Sequence, residues 1–240
     1  MLKKLQFIML AHALAAIGCD GGNSGAPDVT PAAATTASAD PAASTQAVAR
    51  APRIVFLGDS LTAGAGVETN EAFPALIGRQ LSKEGIGATV VNAGVSGDTT
   101  AGGLRRLSWV LRQRPDVLVV CLGGNDGLRL LDVDAAMANL RQIIEKAQSA
   151  GADVLLLGML LPTNYGPEYR ERFAAIYPTL AKEFNVPLVP FALEGVGGVP
   201  AMNQPDGIHP TAKGHGVVAS NVIGPLRELV RARAARTPAG

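Results

Sequence analysis

Short apolar runs alternate with longer amphipathic stretches over most of this 240-residue chain. The runs are nearly continuous and rich in β-branched residues, as expected for strands covered on both faces; they fall at 54–57, 88–91, 117–122, 154–157 and 187–190. The stretches between them carry apolar residues at helical spacing, over 71–84, 99–113, 134–149, 168–184 and 211–233. The alternation predicts a three-layer α/β/α fold, in which helices cover a doubly wound parallel sheet of about five strands.

The first 52 residues do not follow this alternation. Residues 1–18 combine two lysines with an apolar run too short to span a bilayer, which is typical of a secretory signal peptide. Residues 19–52 are almost all small or polar, with many Ala, Pro, Ser and Thr, and predict a flexible tether. We therefore expect the folded domain over 53–234 and a short tail over 235–240.

Cys19 follows Ala16-Ile17-Gly18, a sequence that resembles a bacterial lipobox with alanine where leucine is usual. Two endings of the leader stay open: ordinary cleavage, or lipidation of Cys19, after which the tether would separate the domain from the membrane. In both cases we expect an exported, periplasmic protein that meets a membrane only through such an anchor. The formal net charge of +1 indicates no nucleic-acid partner, and we expect a monomer.

Residues suited to catalysis follow the ends of the predicted strands, and active sites of such sheets lie at those ends. Ser60 follows the first strand, Gly97 the second, Asn125 the third, and Asp206 and His209 lie in the loop after the fifth. A serine hydroxyl becomes a good nucleophile when a histidine takes its proton and a carboxylate orients that histidine. The pattern therefore favours nucleophilic catalysis.

Elimination among the three histidines points to one base. His12 lies in the predicted signal peptide, and His215 lies in the last predicted helix, where we expect a surface or packing role. His209 remains, and Asp206 lies three residues before it, within reach of its Nδ1 atom. We expect Ser60 as nucleophile, His209 as base and Asp206 as the residue that orients it.

An oxyanion hole needs N–H donors beside the nucleophile. The backbone N–H groups of Ser60 and Gly97 and the side-chain amide of Asn125 can supply them. Asp59, beside the serine, is expected to cap the following helical turn rather than to act as a second acid. Ser96 lacks the final glycine of a G-x-S-x-G elbow and is a weak competitor to Ser60.

Four blocks, in this order along the chain, resemble those of the SGNH (GDSL) hydrolase superfamily: Gly58-Asp59-Ser60-Leu61, Gly97, Gly124-Asn125-Asp126 and Asp206-x-x-His209. Four further stretches are similar to one branch, the bacterial periplasmic thioesterases, lysophospholipases and arylesterases; they are 96–99, 122–129, 161–166 and 176–184. The resemblance covers about 53–230. It implies the flavodoxin-like strand order 2-1-3-4-5, the roles given above to the triad and the oxyanion donors, and no metal or organic cofactor.

The sequence thus predicts a serine esterase that hydrolyses acyl or aryl esters through an acyl-enzyme, with thioesters and lysophospholipids as further substrates. Leu128, Leu161 and Tyr165 are candidates for the wall of the acyl pocket. Two alternatives stay open. One is a carbohydrate O-acetylesterase of the same fold, and the other is a non-catalytic lipoprotein that binds a small ligand.

Overall fold

A computed structural model describes residues 50–236 of the chain. One sheet of five parallel strands has the order β2-β1-β3-β4-β5, so the predicted fold class and strand order are confirmed. The strands are β1 Arg53–Gly58, β2 Thr89–Gly94, β3 Val117–Cys121, β4 Asp153–Leu157 and β5 Leu188–Val189. The predicted signal peptide, Cys19 and most of the predicted tether lie outside the described residues, as do residues 237–240 of the predicted tail.

Seven α-helices connect and cover the described strands: α1 Ser60–Ala63, α2 Phe73–Lys83, α3 Thr100–Leu111, α4 Gly124–Leu128, α5 Val133–Ser149, α6 Pro167–Phe184 and α7 Ala212–Arg236. Helix α2 packs against α7 in one layer, and α5 packs against α3 and α6 in the other. Single 3-10 turns occur at Thr163–Tyr165 and Pro200–Met202. None of the helices in the described part of the chain is long and apolar enough to cross a bilayer.

Helix α5 shows how the sequence produces one of these layers. Asp132 precedes it and accepts a hydrogen bond from the Ala135 backbone N–H, which satisfies a donor of the first turn. Its buried positions follow helical spacing and face the sheet, as the sequence predicted; they are Val133, Ala136, Leu140, Ile143, Ile144 and Ala147. Burial of this apolar stripe, rather than helix propensity alone, stabilises the helix.

His215 supplies a cap that α2 lacks in its own sequence. Ala72, at the start of α2, has no side-chain acceptor, and the His215 Nδ1 atom instead accepts a hydrogen bond from the Phe73 N–H. The imidazole is 1% exposed and stacks on the Phe73 ring at a centroid distance of 6.2 Å. His215 is therefore a packing residue, and the surface position that the sequence left open for it is wrong.

The register of the central strands brings three chain segments to one level at the carboxyl edge of the sheet. Gly58, the last residue of β1, pairs with Gly94 of β2 on one side and with Cys121 of β3 on the other. The residues that follow these positions therefore meet at the same edge. They include Ser60, Gly97 and Asn125.

Candidate active site

Ser60 begins the four-residue helix α1, directly after β1. Asp59 caps this helix, since its Oδ1 atom accepts a hydrogen bond from the Leu61 N–H at 3.0 Å. Gly58 lets the turn approach the sheet: a Cβ atom there would lie 1.9 Å from the Thr62 hydroxyl oxygen and 2.9 Å from the Cys121 carbonyl oxygen. The nucleophile candidate thus sits on a tight strand-to-helix turn.

His209 hydrogen-bonds to Ser60 and Asp206 through its two ring nitrogens. Its Nε2 atom lies 2.9 Å from the Ser60 Oγ atom, and its Nδ1 atom lies 2.6 Å from the Asp206 Oδ2 atom. When Nδ1–H donates to the carboxylate, Nε2 is left as an acceptor for the hydroxyl proton. The structure thus brings together the three residues that the sequence selected, in the order that a catalytic triad requires.

The loop that carries His209 is held at several points. Asp206 Oδ1 accepts hydrogen bonds from the Ile208 and His209 N–H groups, each at 3.0 Å. Gln204 Nε2 donates to the carbonyl oxygens of Ala65, at 2.7 Å, and Pro210, at 2.9 Å. Gln204 therefore ties the end of this loop to the chain just after α1. This role could not be predicted from the sequence, because an isolated glutamine carries no pattern.

The carboxyl group that binds His209 and the carboxyl group next to Ser60, those of Asp206 and Asp59, have opposite environments. Backbone N–H groups of His209 and Ile208 and the His209 side chain lower the pKa of Asp206 to about 2, so this carboxylate is ionised at neutral pH. Burial raises the pKa of Asp59 to about 6, although the Leu61 hydrogen bond and the charge of His209 oppose the shift. Asp59 lies 3.5 Å from the Asn125 Nδ2 atom and is 2% exposed.

Gly97 and Asn125 lie beside Ser60 in the wall of one cavity. Gly97 adopts φ +80°, a left-handed conformation that favours glycine, and a Cβ atom there would have space, with only Arg129 Nη2 nearby at 3.6 Å. The glycine is thus required by its backbone angle rather than by crowding. Asn125 lies in α4, and its Nδ2 atom donates to the Asp98 carbonyl oxygen at 2.9 Å.

Two arginines that the sequence did not single out hold this edge of the site. Arg106 ion-pairs with Asp98 at 2.6 Å and also donates to the carbonyl oxygens of Ala93 and Gly58, which joins the ends of β1 and β2. Arg129 donates to both Asn125 and the Gly97 carbonyl oxygen. Neither arginine could be found from spacing or hydrophobic pattern, since both act through long side chains on polar faces.

The cavity over Ser60 has a volume of about 650 Å³. Leu128 and Leu161 line it, together with further apolar residues that include Met159, Leu160, Phe191, Leu193 and Ile208. Tyr165 is not among the lining residues; it lies behind Leu128 and donates its hydroxyl to the Leu128 carbonyl oxygen at 3.1 Å. The glycine-rich segment after β5 also contributes to the wall through Gly197 and Gly198.

The fold and the arrangement of these side chains are together typical of one class of protein, the α/β/α serine hydrolases. A serine, a histidine and a carboxylate are hydrogen-bonded in series at the carboxyl edge of a parallel sheet, with N–H donors nearby. Within residues 50–236, no three His, Cys, Asp or Glu side chains are grouped in a way that could hold a metal ion.

Known proteins resemble this chain over most of the described domain. Residues 56–217 match the GDSL-like Lipase/Acylhydrolase family. Esterase TesA of Pseudomonas aeruginosa is 45% identical over 183 residues, which are 76% of this chain and 91% of that protein. Thioesterase 1/protease 1/lysophospholipase L1 of Escherichia coli K12 is 44% identical over 183 residues, covering 76% and 86%. The crystal structure of the psychrotrophic esterase EstA from Pseudoalteromonas sp., inhibited by monoethylphosphonate, has a TM-score of 0.71 at 30% identity and covers 75% and 98%.

The chain therefore belongs to the GDSL-like lipase and acylhydrolase family, the SGNH hydrolases, and it is a carboxylic ester hydrolase. The family that the four blocks predicted and the branch that the further stretches predicted are both confirmed.

Proposed function

We propose that the protein is a serine esterase in which Ser60, His209 and Asp206 form the catalytic triad. The observation that carries this proposal is the pair of hydrogen bonds at His209, 2.9 Å to Ser60 Oγ and 2.6 Å to Asp206 Oδ2. His209 takes the hydroxyl proton as Ser60 attacks the acyl carbonyl, and then gives that proton to the leaving alcohol or thiol. Water hydrolyses the acyl-enzyme by the reverse proton transfers.

The oxyanion of the tetrahedral intermediate would accept hydrogen bonds from the Ser60 and Gly97 backbone N–H groups and the Asn125 amide. Among residues 50–236, neither of these backbone N–H groups donates to a protein acceptor, so both are free to do so. Each such donor is typically worth about 10²–10³ in turnover. No metal or organic cofactor takes part in this scheme.

The cavity supports a substrate class. Its wall is mostly apolar beside Ser60 and has room for a fatty acyl chain, which favours acyl esters over acetylated sugars. The names of the two bacterial relatives, an esterase and a thioesterase/lysophospholipase, support the same class and add thioesters and lysophospholipids as candidates.

The decisive experiment compares wild type with Ser60→Ala on p-nitrophenyl esters. Wild type should release a burst of nitrophenol and should be labelled covalently by a fluorophosphonate probe, whereas Ser60→Ala should do neither. Full activity in Ser60→Ala would overturn the triad. A series from acetyl to hexadecanoyl esters should give rising kcat/KM with chain length; activity on acetylated sugars with none on octanoyl esters would favour the O-acetylesterase instead.

The same proposal includes export to the periplasm, a monomeric state and lipidation of Cys19. In cells grown with labelled palmitate, the wild-type protein should take up the label and the Cys19→Ser variant should not. Label-free wild-type protein in the soluble periplasmic fraction would instead indicate ordinary cleavage of the leader. Size-exclusion chromatography of the purified domain, with light scattering, tests the monomer.

A further inference from the structure

The Asn125 side chain can serve an oxyanion only in one of two orientations. The oxygen and nitrogen of a side-chain amide are nearly the same size, and rotation by 180° would present an acceptor instead of a donor to the site. Hydrogen bonds from Nδ2 to the Asp98 carbonyl oxygen, at 2.9 Å, and to the Asp59 Oδ2 atom, at 3.5 Å, favour the productive orientation from the nitrogen side of the amide. The amide oxygen also needs a partner.

Arg129 is that partner. Its Nη2 atom lies 3.2 Å from the Asn125 Oδ1 atom and 3.1 Å from the Gly97 carbonyl oxygen. A guanidinium group has donors only, so it can bind the amide oxygen but not the amide NH₂ group. Rotation of the amide would place two donors against each other beside a positive charge. Arg129 therefore contacts both residues that we assign to the oxyanion hole besides Ser60 itself.

The surroundings of Arg129 do not suggest a merely structural cation. Its side chain is exposed, and it makes no ion pair with any carboxylate among residues 50–236. Arg106, in contrast, is partly buried and paired with Asp98. Both hydrogen bonds of the Arg129 side chain go to residues in the wall of the site. One is to Asn125, one helical turn earlier in the chain, and the other is to Gly97, on a different segment.

We propose that Arg129 is a positioning residue of the oxyanion hole. It fixes the amide orientation of Asn125, and it holds Gly97 in place through the Gly97 carbonyl oxygen. The positive charge of Arg129 lies beside the Asn125 amide oxygen and also makes the Asn125 Nδ2–H group a stronger donor to a developing oxyanion, because a charged neighbour polarises hydrogen-bonded groups. The role rests on the function proposed above. It acts through Asn125 and Gly97 and needs no contact between Arg129 and substrate.

A double-mutant cycle on the purified protein tests this role. The variants are Arg129→Met, Asn125→Ala and the combination of both. Arg105→Met is the matched control, since the Arg105 side chain is also exposed but makes no hydrogen bond within residues 50–236. Arg129→Lys keeps the charge and tests rescue, and Arg129→Gln repeats the cycle if Arg129→Met does not fold. Thermal melting establishes that each variant is folded, and kcat and KM are measured with p-nitrophenyl butyrate.

Arg129→Met should lower kcat about tenfold with KM within a factor of two, because the donors act on the transition state. In the Asn125→Ala background the same change should lower kcat by no more than about threefold, a remainder that we assign to Gly97. Arg129→Lys should recover part of the loss, and Arg105→Met should behave as wild type.

Three results would overturn the role: an equal loss of kcat in both backgrounds, a loss confined to KM, or no loss at all in folded Arg129→Met. Ser60→Ala separates this proposal from the function on which it rests. An inactive Ser60→Ala together with an unaffected Arg129→Met removes the positioning role alone, whereas an active Ser60→Ala removes both.

Discussion

The Nε2 atom of His209 lies 2.9 Å from the Ser60 hydroxyl oxygen, although 149 residues separate the two along the chain. Two independent attachments make this contact. Asp206 binds the His209 ring and two backbone N–H groups of its loop, and Gln204 joins the same loop to the carbonyl oxygen of Ala65 beyond α1. The imidazole is thus fixed from both sides before a substrate arrives, which lowers the cost of orienting it during the reaction.

Asp206→Asn should leave the fold intact and lower kcat by a factor on the order of 10⁴. An asparagine amide can donate to Nδ1 and thereby favour the tautomer with hydrogen on Nε2, which cannot accept the serine proton. Steady-state hydrolysis of an aryl ester measures the loss. Asp134→Asn, at an exposed ion pair with Arg172, is the control and should keep wild-type kcat.

Because the pKa of Asp206 is about 2, its protonation should produce no inflection in kcat/KM between pH 4 and pH 8.

Gly97→Ala should lower kcat while changing stability only modestly. Both Gly97, at φ +80°, and Gly85, at φ +73°, adopt the left-handed conformation, and neither would bring a Cβ atom into a close contact. Each alanine should therefore destabilise the fold by a similar amount, about 1–2 kcal/mol. Only Gly97→Ala should reduce kcat, because Gly85 lies in the connection between α2 and β2, away from the site. Alanine keeps the backbone N–H, so the loss of kcat would come from a shift of that N–H as the backbone relaxes from φ +80°. Equal kcat values for the two variants would contradict this effect.

Acid should destabilise the protein through His215. Burial lowers its pKa from 6.5 to about 4, so between these values the unfolded chain binds a proton that the folded protein does not, and the free energy of unfolding falls as pH falls. The full difference is at most about 3 kcal/mol, reached near pH 4. His215→Leu should be less stable than wild type at pH 7, because it leaves the Phe73 N–H without an acceptor. The difference in free energy of unfolding between the two proteins should shrink toward pH 4. Urea unfolding at several pH values measures both curves.

Asp59 should have the opposite effect over nearly the same pH range. Burial raises its pKa from 3.8 to about 6, so the folded protein holds a proton that the unfolded chain has lost, and stability falls as pH rises from 4 to 6. Asp59→Asn keeps an oxygen for the Leu61 N–H and removes the titration. Relative to wild type it should gain at most about 3 kcal/mol between pH 4 and pH 7. A stability difference that does not depend on pH would show that Asp59 does not titrate in this range.

The sheet and most helices could be predicted because burial on both faces leaves a clear signature in the sequence. The strands β1, β3 and β4 are continuous apolar runs, and α5 places its apolar residues at helical spacing. Helix α4 was missed because five residues are too few for a periodic pattern, whereas α1 is the helical turn expected after Asp59. Strand β5 covers only Leu188–Val189 of the predicted run, between Pro187 and Pro190, which have no backbone N–H to donate to the sheet.

The candidate site could be selected from the sequence because its residues follow strand ends and because only one histidine occupies such a position. The residues that support the site could not be selected in this way. Arg129 and Gln204 reach distant segments, at Gly97 and Ala65, through side-chain hydrogen bonds that no local pattern predicts. For His215 a signal did exist: it shares the helical spacing of the buried residues Val218, Ala219 and Val222, which would have placed it on the inner face of α7.

The long separation between Ser60 and His209 also bears on when the enzyme first becomes active. During synthesis the serine emerges well before its base, the carboxylate and the glutamine that anchors their loop, because 149 residues separate Ser60 from His209. A partly synthesised or still unfolded polypeptide therefore carries a serine without a base and should hydrolyse nothing. Esterase activity would then appear only with the last long-range docking event, which makes the rate of its recovery a direct measure of complete refolding.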